Sequence, residues 1–386
     1  MKKLVVLRTA ALLLVLAYLL CGAVLAAPAQ GPVEQGCAKS LLLMEAESGK
    51  VLWEENARAR LEPASVTKVM TLLLAMEALE SGRLQLSDSF TVSAAAAGMG
   101  GSQVYMEAGE KFSLDELLKC IAVVSANDAC VVPAEGLCGS EAAFVERMNA
   151  RAAELGMEDT EFQNCTGLPA AGHLTSARDI ALMSRELLKY EKILSYTNIW
   201  MDSIRGGDFG LANTNKLLKS YPGITGLKTG STDAAGFCIS ATAEREDMAL
   251  IAVVLGCKTS ADRFDAAAKL LDYGFANYTC PDLSCTIPEV RVDMGTQRTL
   301  KLIPAQELRP VVLRDRAGSV TLRAEAAEET KAPVRRGDVL GELIWQEGEE
   351  ILARTSLVAE ADVARIGFAE ILARLMGCLF AVEKYV

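Results

Sequence analysis

The sequence predicts an α+β fold in which strand-like segments near both ends of residues 36–277 enclose a helical middle, followed by a small all-β unit over residues 281–360. Three observations carry this. Half of the 386 residues are hydrophobic (51%), enough for a sizeable core and two domains of unequal size. Apolar residues recur at helical spacing between Val69 and Leu188, then switch at Ile224 to runs broken by turn residues. From residue 281 the pattern becomes short alternating strands such as Val290-Arg291-Val292, residues 299–302 and residues 340–344, with a turn at Arg336-Gly337-Asp338.

Taken in order, residues 37–43 and 50–53 flank the turn Glu47-Ser48-Gly49 and read as a hairpin that opens an antiparallel sheet. Pro63 fits the first turn of a helix, where its missing N–H costs nothing. Val69, Met70, Leu72, Leu73, Leu74, Met76 and Leu79 follow with little polar relief, which predicts a buried helix. Residues 91–101, rich in Ala and Gly, read as a loop passing close to something. Ser113-Leu114-Asp115-Glu116 is a capping box for a helix that stops at Ser125-Ala126-Asn127-Asp128, and another resumes near Ala129. Ser140 caps a helix that Gly156 ends, and Ser176 starts one through Leu188 with Asp179 as its capping partner. Residues 224–231, 237–242 and 248–255 are strands joined by short turns, hence antiparallel neighbours, and Ser260 is expected to cap a helix lying on them.

The two ends of the chain differ from the rest. Residues 1–27 read as a secretory signal, with Lys2, Lys3 and Arg8 before an apolar run and Leu25-Ala26-Ala27 at the cleavage region, so the mature protein is expected outside the cytoplasm. Leu20 ahead of Cys21 is bulky for a lipoprotein signal; an uncleaved anchor is the alternative. Over residues 364–383, Phe368, Ile371, Leu372, Leu375, Met376, Leu379 and Phe380 form an apolar stripe, with Arg365, Glu370 and Arg374 off it. This predicts a helix lying in a membrane surface, against the alternative of one packed on its own domain.

Composition excludes several functions. The net charge is −11 with 50 acidic residues against 39 basic, and without Lys/Arg tracts the chain is a poor nucleic-acid binder. The 11 cysteines show neither Cys-x-x-Cys pairs nor regular spacing, so no metal site or disulfide framework is expected. Cys120, Cys130, Cys138, Cys165, Cys238 and Cys257 read as core fillers, and Cys280 and Cys285 are close enough in sequence to be bridged. The single histidine, His173, cannot furnish a multi-histidine zinc site, and its Gly/Pro-rich surroundings suggest a surface or loop-packing role. A base other than histidine is therefore favoured for any nucleophilic chemistry.

Ser65 and Lys68 supply one. Three residues apart at a helix start, they share a face, and a lysine in apolar surroundings tends to lose its proton. A neutral amine beside a hydroxyl is a base beside a nucleophile. A lone Ser-x-x-Lys is more often a helix start with a snorkelling lysine, but here Ser125-Ala126-Asn127 and Lys228-Thr229-Gly230 follow, on an interhelical turn and a strand. Together they form three walls of one cleft. The pattern resembles the penicillin-binding protein and serine β-lactamase superfamily, and within it the low-molecular-weight D-alanyl-D-alanine carboxypeptidases. Thr160 to Asn164 with Gly167-Leu168, Ser176 to Asp179, and Gly226 to Thr232 are similar to that family's connecting segments, so the resemblance covers most of the chain.

The resemblance implies a transpeptidase-like domain over residues 36–277, an antiparallel sheet with a helical lobe, then the β-rich domain and the amphipathic helix. It implies that Ser65 attacks the carbonyl between two D-alanines of a peptidoglycan stem peptide, that Lys68 takes its proton, and that Ser125 relays a proton to the leaving amine. Asn127 would bind the peptide backbone and orient Lys68. The N–H groups of Ser65 and Ser231 would hold the oxyanion, with Lys228, Thr229 and Gly230 lining the substrate strand. Lys228 and Thr229, with Arg263 at the family's arginine position, would attract the terminal carboxylate. Mutual repulsion of the two lysines is expected to help lower the Lys68 pKa. β-Lactams become acylating partners, and no cofactor is called for. An endopeptidase would use the same acylation. A β-lactamase needs a further carboxylate, and Glu161-Phe162-Gln163-Asn164 departs from the Glu-x-x-Leu-Asn pattern. An idle cell-wall scaffold would not need every motif residue.

Overall fold

A computed structural model describes residues 31–373 and Met376; the leader reading over residues 1–27 lies outside the described residues. The first unit is built on a five-stranded antiparallel sheet of β1 (Ser40–Glu45), β2 (Val51–Glu55), β3 (Ile224–Thr232), β4 (Gly236–Arg245) and β5 (Met248–Cys257), in the order β2-β1-β5-β4-β3. Strands from both ends of the unit thus meet at its centre, with Leu43 opposite Ala252. Alternation along β1 and β5 sends Leu42, Met44, Ile251, Val253 and Leu255 into one core and Leu41, Leu43, Leu250, Ala252 and Val254 into another, as the period of two requires.

The first core is roofed by helices. α1 (Lys68–Glu80) is apolar on nearly every side because it runs through the middle of the lobe, buried from Lys68 to Met76. α2 (Leu114–Lys119), α3 (Asn127–Cys138), α4 (Glu141–Glu154) and α5 (Ala177–Leu188) surround it. The predicted capping box at Ser113 is present, with Ser113 Oγ accepting from Glu116 N and the Glu116 carboxylate from Ser113 N. α6 (Ser260–Asn277) covers the second core with Phe264, Leu270, Leu271 and Phe275.

Several local expectations shift by a residue or two. α6 is capped by Thr259, whose hydroxyl accepts from Asp262 N, and not by Ser260, which is already helical. The helix expected near Ala129 begins at Asn127. β1 begins at Ser40 rather than residue 37, and residues 91–101 include a one-turn helix, Ala94–Ala97. Cys280 and Cys285 are free.

The second unit is all-β, with Leu302–Pro304 beside β6 (Val320–Ala326), β7 (Val339–Glu347) and β8 (Glu350–Ala359) in one four-stranded sheet. Its core is small, with Val290, Leu302, Leu343, Trp345 and Leu357 in one cluster. It is stitched to the first unit where Tyr278–Thr279 pairs with Val312–Leu313, and where Lys50 Nζ donates to Val311 O at 3.2 Å. Residues 368–373 are helical with Phe368 and Leu372 exposed, while most of residues 374–383 fall outside the described residues. No helix among the described residues is long and apolar enough to cross a membrane.

Candidate active site

Ser65 lies in a 3₁₀ turn, Ala64–Thr67, that leads directly into α1. In a 3₁₀ turn residues three apart eclipse, which brings Ser65 and Lys68 into register. Ser65 is half-buried and Lys68 fully buried. Lys68 Nζ sits 3.1 Å from Ser65 Oγ, 2.6 Å from Asn127 Oδ1 and 2.6 Å from Thr166 O. Three neighbours therefore surround one nitrogen.

The second wall begins where α2 widens into a π turn, Cys120–Val124, and the chain leaves it through Ser125 in a left-handed conformation (φ 63°). A non-glycine residue held there stores strain on the order of 1 kcal/mol or more, which the surroundings must over-determine. Ser125 Oγ is buried with no hydrogen-bond partner among the described residues. Asn127 N donates to Ser102 O, and Asn127 Nδ2 donates to Gly100 O, both at 2.7 Å. That second bond fixes the amide so that Oδ1 faces Lys68. Gly101 (φ +79°) could not carry a side chain, since a Cβ would fall 2.8 Å from Asn127 Nδ2. The alanine- and glycine-rich stretch, whose purpose the sequence left unread, closes on Asn127.

β3 supplies the third wall. Lys228 is buried and its Nζ donates to Thr229 O at 2.9 Å; the hydroxyls of Thr229 and Thr214 lie 2.6 Å apart. A Cβ on Gly230 would stand 2.8 Å from Ser65 N and 2.9 Å from Pro63 O, so only glycine lets the strand run this close to the serine turn. Ser231 follows as an exposed residue. Arg263 Nη1 donates to Gly230 O at 2.9 Å and Cys238 O at 3.3 Å, its guanidinium lies over the rings of Phe237 and Phe264, and Nε is buried without a partner among the described residues. Arg263 braces the ends of β3 and β4 against α6.

A fourth element was missed by sequence reasoning. Asn164 Oδ1 accepts from the N–H groups of Thr166 and Gly167, at 3.2 and 2.7 Å, and Asn164 Nδ2 donates to Leu168 O at 2.9 Å. This turn presents Thr166 O to Lys68. Thr71 Oγ1, on α1, donates to Cys165 O at 2.8 Å and holds the turn against the helix. The Asn164-Cys165-Thr166-Gly167 spacing of such a turn was visible; its carbonyl target was not. Glu161 is 57% exposed at the surface, 3.9 Å from Arg60.

Burial pushes the Lys68 amine below its ordinary range. Burial, then the charges of Lys68 and Arg263, push Lys228 well below its own. Two buried cations in one cleft disfavour each other's charge, and among the described residues the Lys228 amine is answered by a carbonyl of its own strand, Thr229 O. Among the described residues no group of three or more His, Cys, Asp or Glu side chains could hold a metal ion.

Residues 26–259 match the D-alanyl-D-alanine carboxypeptidase family of serine peptidases, more than half of the chain. The chain belongs to that family. Residues 285–365 match the C-terminal domain of penicillin-binding protein 5. The carboxypeptidase is 41% identical over 350 residues to the D-alanyl-D-alanine carboxypeptidase DacF of Bacillus subtilis, covering 88% of this chain and 89% of that one. Its fold is similar to penicillin-binding protein 5 from Haemophilus influenzae, with a TM-score of 0.72 and 28% identity over 85% of this chain and 98% of that one. Penicillin-binding protein D2 of Listeria monocytogenes, solved in an ampicillin-bound form, is 31% identical with a TM-score of 0.57, covering 62% of this chain and 98% of that one. The predicted fold, family and carboxypeptidase activity therefore stand.

Proposed function

We propose that the carboxypeptidase removes the terminal D-alanine of peptidoglycan stem pentapeptides through an acyl-enzyme on Ser65. The observation that carries this reading is the arrangement about Lys68 Nζ. Asn127 Oδ1 and Thr166 O, each at 2.6 Å, take two N–H bonds of the amine, so the lone pair of its neutral form points to Ser65 Oγ at 3.1 Å. Burial favours that neutral form. Lys68 accepts the proton as Ser65 Oγ attacks the carbonyl carbon, and the N–H groups of Ser65 and Ser231 stabilise the oxyanion. Ser125, whose buried hydroxyl has no partner among the described residues, passes a proton to the departing amine. D-Alanine leaves, and water releases the acyl chain from Ser65.

Lys228, Thr229 and Arg263 draw the anionic end of the substrate to β3, and Asn127 with Gly230 and Ser231 lines the extended peptide. Among these, Arg263 acts through the strand end it braces. Penicillins, which carry a strained amide and a carboxylate, acylate Ser65 in the same pose. We place the chemistry in residues 36–277, with residues 281–360 as a separate β-rich unit. Residues 1–27 export the enzyme, and residues 364–383 lay an apolar face on the outer surface of the membrane, consistent with exposed Phe368, Leu372 and Met376.

Mass spectrometry of muropeptides before and after incubation tests the reading. Loss of one alanine from pentapeptides, abolished by Ser65→Ala, is the expected result. Unchanged pentapeptide with wild-type enzyme, or persistent loss with the variant, refutes it.

A further inference from the structure

His173, the sole histidine of the chain, is buried far from any surface role. Its ring bridges two segments. Gln163 N, which can only donate, gives a hydrogen bond to His173 Nδ1 at 2.9 Å, so Nδ1 is the acceptor and Nε2 carries the proton. Nε2 lies 2.8 Å from Thr67 Oγ1, and Thr67 Oγ1 donates its single hydrogen to Ala64 O at 2.9 Å. The hydroxyl must therefore accept from the imidazole, and both ends of the ring require the same tautomer.

Ala64 O is the carbonyl of the peptide unit whose nitrogen belongs to Ser65. That unit is planar and trans, so a pull on the carbonyl fixes the direction of the Ser65 N–H on the opposite side. Ala64 needs fixing, because it holds a positive φ of 49° that a non-glycine residue does not adopt unaided. Gly167 packs on the same carbonyl, where a Cβ would come within 1.9 Å of Ala64 O.

We propose that His173 is a positioning residue: through Thr67 and the Ala64 carbonyl it aims the Ser65 N–H at the oxyanion and polarises that peptide unit. The inference rests on the reading of Ser65 as nucleophile and of its N–H as oxyanion donor. Aligned donor–acceptor chains strengthen each link, and a donor pre-aimed at a developing charge acts in the transition state rather than on the bound substrate. The ring's partners, Thr67, Gln163 and the edge-on Phe162 at 5.8 Å, are uncharged, and burial pushes the imidazole down to about 4, so the chain of bonds holds throughout neutral pH. The direction of the relay matters as much as its presence: an imidazolium would turn Nδ1 into a donor facing the Gln163 N–H.

The test uses untagged full-length enzyme, a fluorescent penicillin and D-alanine release. His173→Phe is expected to lower the acylation rate constant and kcat by about tenfold or more with KM little changed. His173→Gln, whose amide N–H reaches toward Thr67, should recover part of the loss. Thr67→Val should match His173→Phe, Thr67→Ser should behave as wild type, and the double variant His173→Phe with Thr67→Val should be no slower than either single one, because all cut the same chain. Nitrogen NMR of the one imidazole should show the Nε2–H tautomer and no titration between about pH 5 and 8. Folded His173→Phe or Thr67→Val acylating at the wild-type rate, multiplicative losses in the double variant, or the opposite tautomer would overturn the proposal. If His173→Phe fails to fold, Thr67→Val and the tautomer decide. Absence of a penicillin adduct on Ser65 of the wild-type enzyme would instead overturn the reading of the site itself.

Discussion

The two units of the chain treat charge in opposite ways. In the first, Lys68, Lys228, Arg263, Asp128, Glu45 and Asp179 are buried beside the apolar core, whereas among the described residues beyond residue 280 Thr355 is the single buried polar one. Its hydroxyl is answered by Gln306 N. Burying an ionisable group costs several kcal/mol unless each lone pair and proton finds a partner. The first unit provides those partners densely: Asp128 alone accepts from Val104, Met106 and Ala129 N–H groups. The second unit keeps its ion pairs outside, as with Arg291–Glu329 and Arg323–Glu325. An open cavity of about 840 Å³ does lie in the β unit, lined by Pro288, Glu289, Arg291 and residues 324–328, but no buried polar group projects into it. Buried, hydrogen-bonded charge marks the chemistry here, and cavity size does not.

The sharpest way to break this contrast is to remove the buried amine. Lys68→Met keeps the volume and deletes the base, and the expected outcome is an acylation rate about 10³- to 10⁴-fold lower in single-turnover labelling with a fluorescent penicillin. Stability should fall by about 1–3 kcal/mol, because Asn127 Oδ1 and Thr166 O lose their buried donor. A rate within tenfold of wild type would show that the amine is not the base. The wild-type pH profile tests the same point. A base acts when neutral, so the rate rises with pH through the Lys68 pKa, and burial places that rise below the ordinary lysine value of about 10.4. A rate that stays flat to acid and climbs only near pH 10 would contradict it.

Paired glycine substitutions sharpen the contrast further. Gly167 and Gly341 both lack room for a Cβ, which would meet Ala64 O at 1.9 Å in the first unit and Glu325 O at 2.4 Å in the second. Gly167→Ala must displace the serine turn, with acylation falling by about a hundredfold. Gly341→Ala must spread β6 from β7, costing about 1–3 kcal/mol in chemical denaturation while acylation by the folded protein stays as in wild type. Slow acylation in folded Gly341→Ala would mean that the two units are coupled, and the division drawn between them would fall.

Much of the first unit could be read from side chains alone. Caps at Ser113, Ser140 and Ser176 announced α2, α4 and α5, and the apolar run over residues 248–255 between turn residues announced a strand, which the structure buries on both faces. Ser65, Lys68 and Asn127 were legible because their residue types and spacing carry chemistry. What escaped was contributed by backbone. The carbonyls of Thr166, Gly100 and Ala64 have no signature in residue identity, and positive φ at Ala64 and Ser125 is invisible because neither is glycine. His173 gave only a surface or loop-packing reading, since its two partners, Gln163 N and Thr67 Oγ1, lie 10 and 106 residues away in the chain. The second unit was legible as short strands, but not as a fold: Arg291 pairs in parallel with Glu329 across a long connection that local periodicity cannot place.

That same pair gives the smallest test. Arg291 Nη2 lies 2.6 Å from a Glu329 carboxylate oxygen with both side chains mostly exposed, the reverse of the Lys68 environment in distance to water while similar in distance to its partner. Water screens the attraction, and ordering two long side chains offsets part of it. A double-mutant cycle of Arg291→Ala and Glu329→Ala, followed by urea denaturation, should return a coupling of about 0.2–1 kcal/mol that shrinks in high salt, with penicillin acylation unaltered in all three variants. A coupling of several kcal/mol would mean that the β unit too depends on charge held away from water, and its contrast with the first unit would then be one of degree. A short polar contact has an energy only once the surrounding medium is specified, and the two units supply different media.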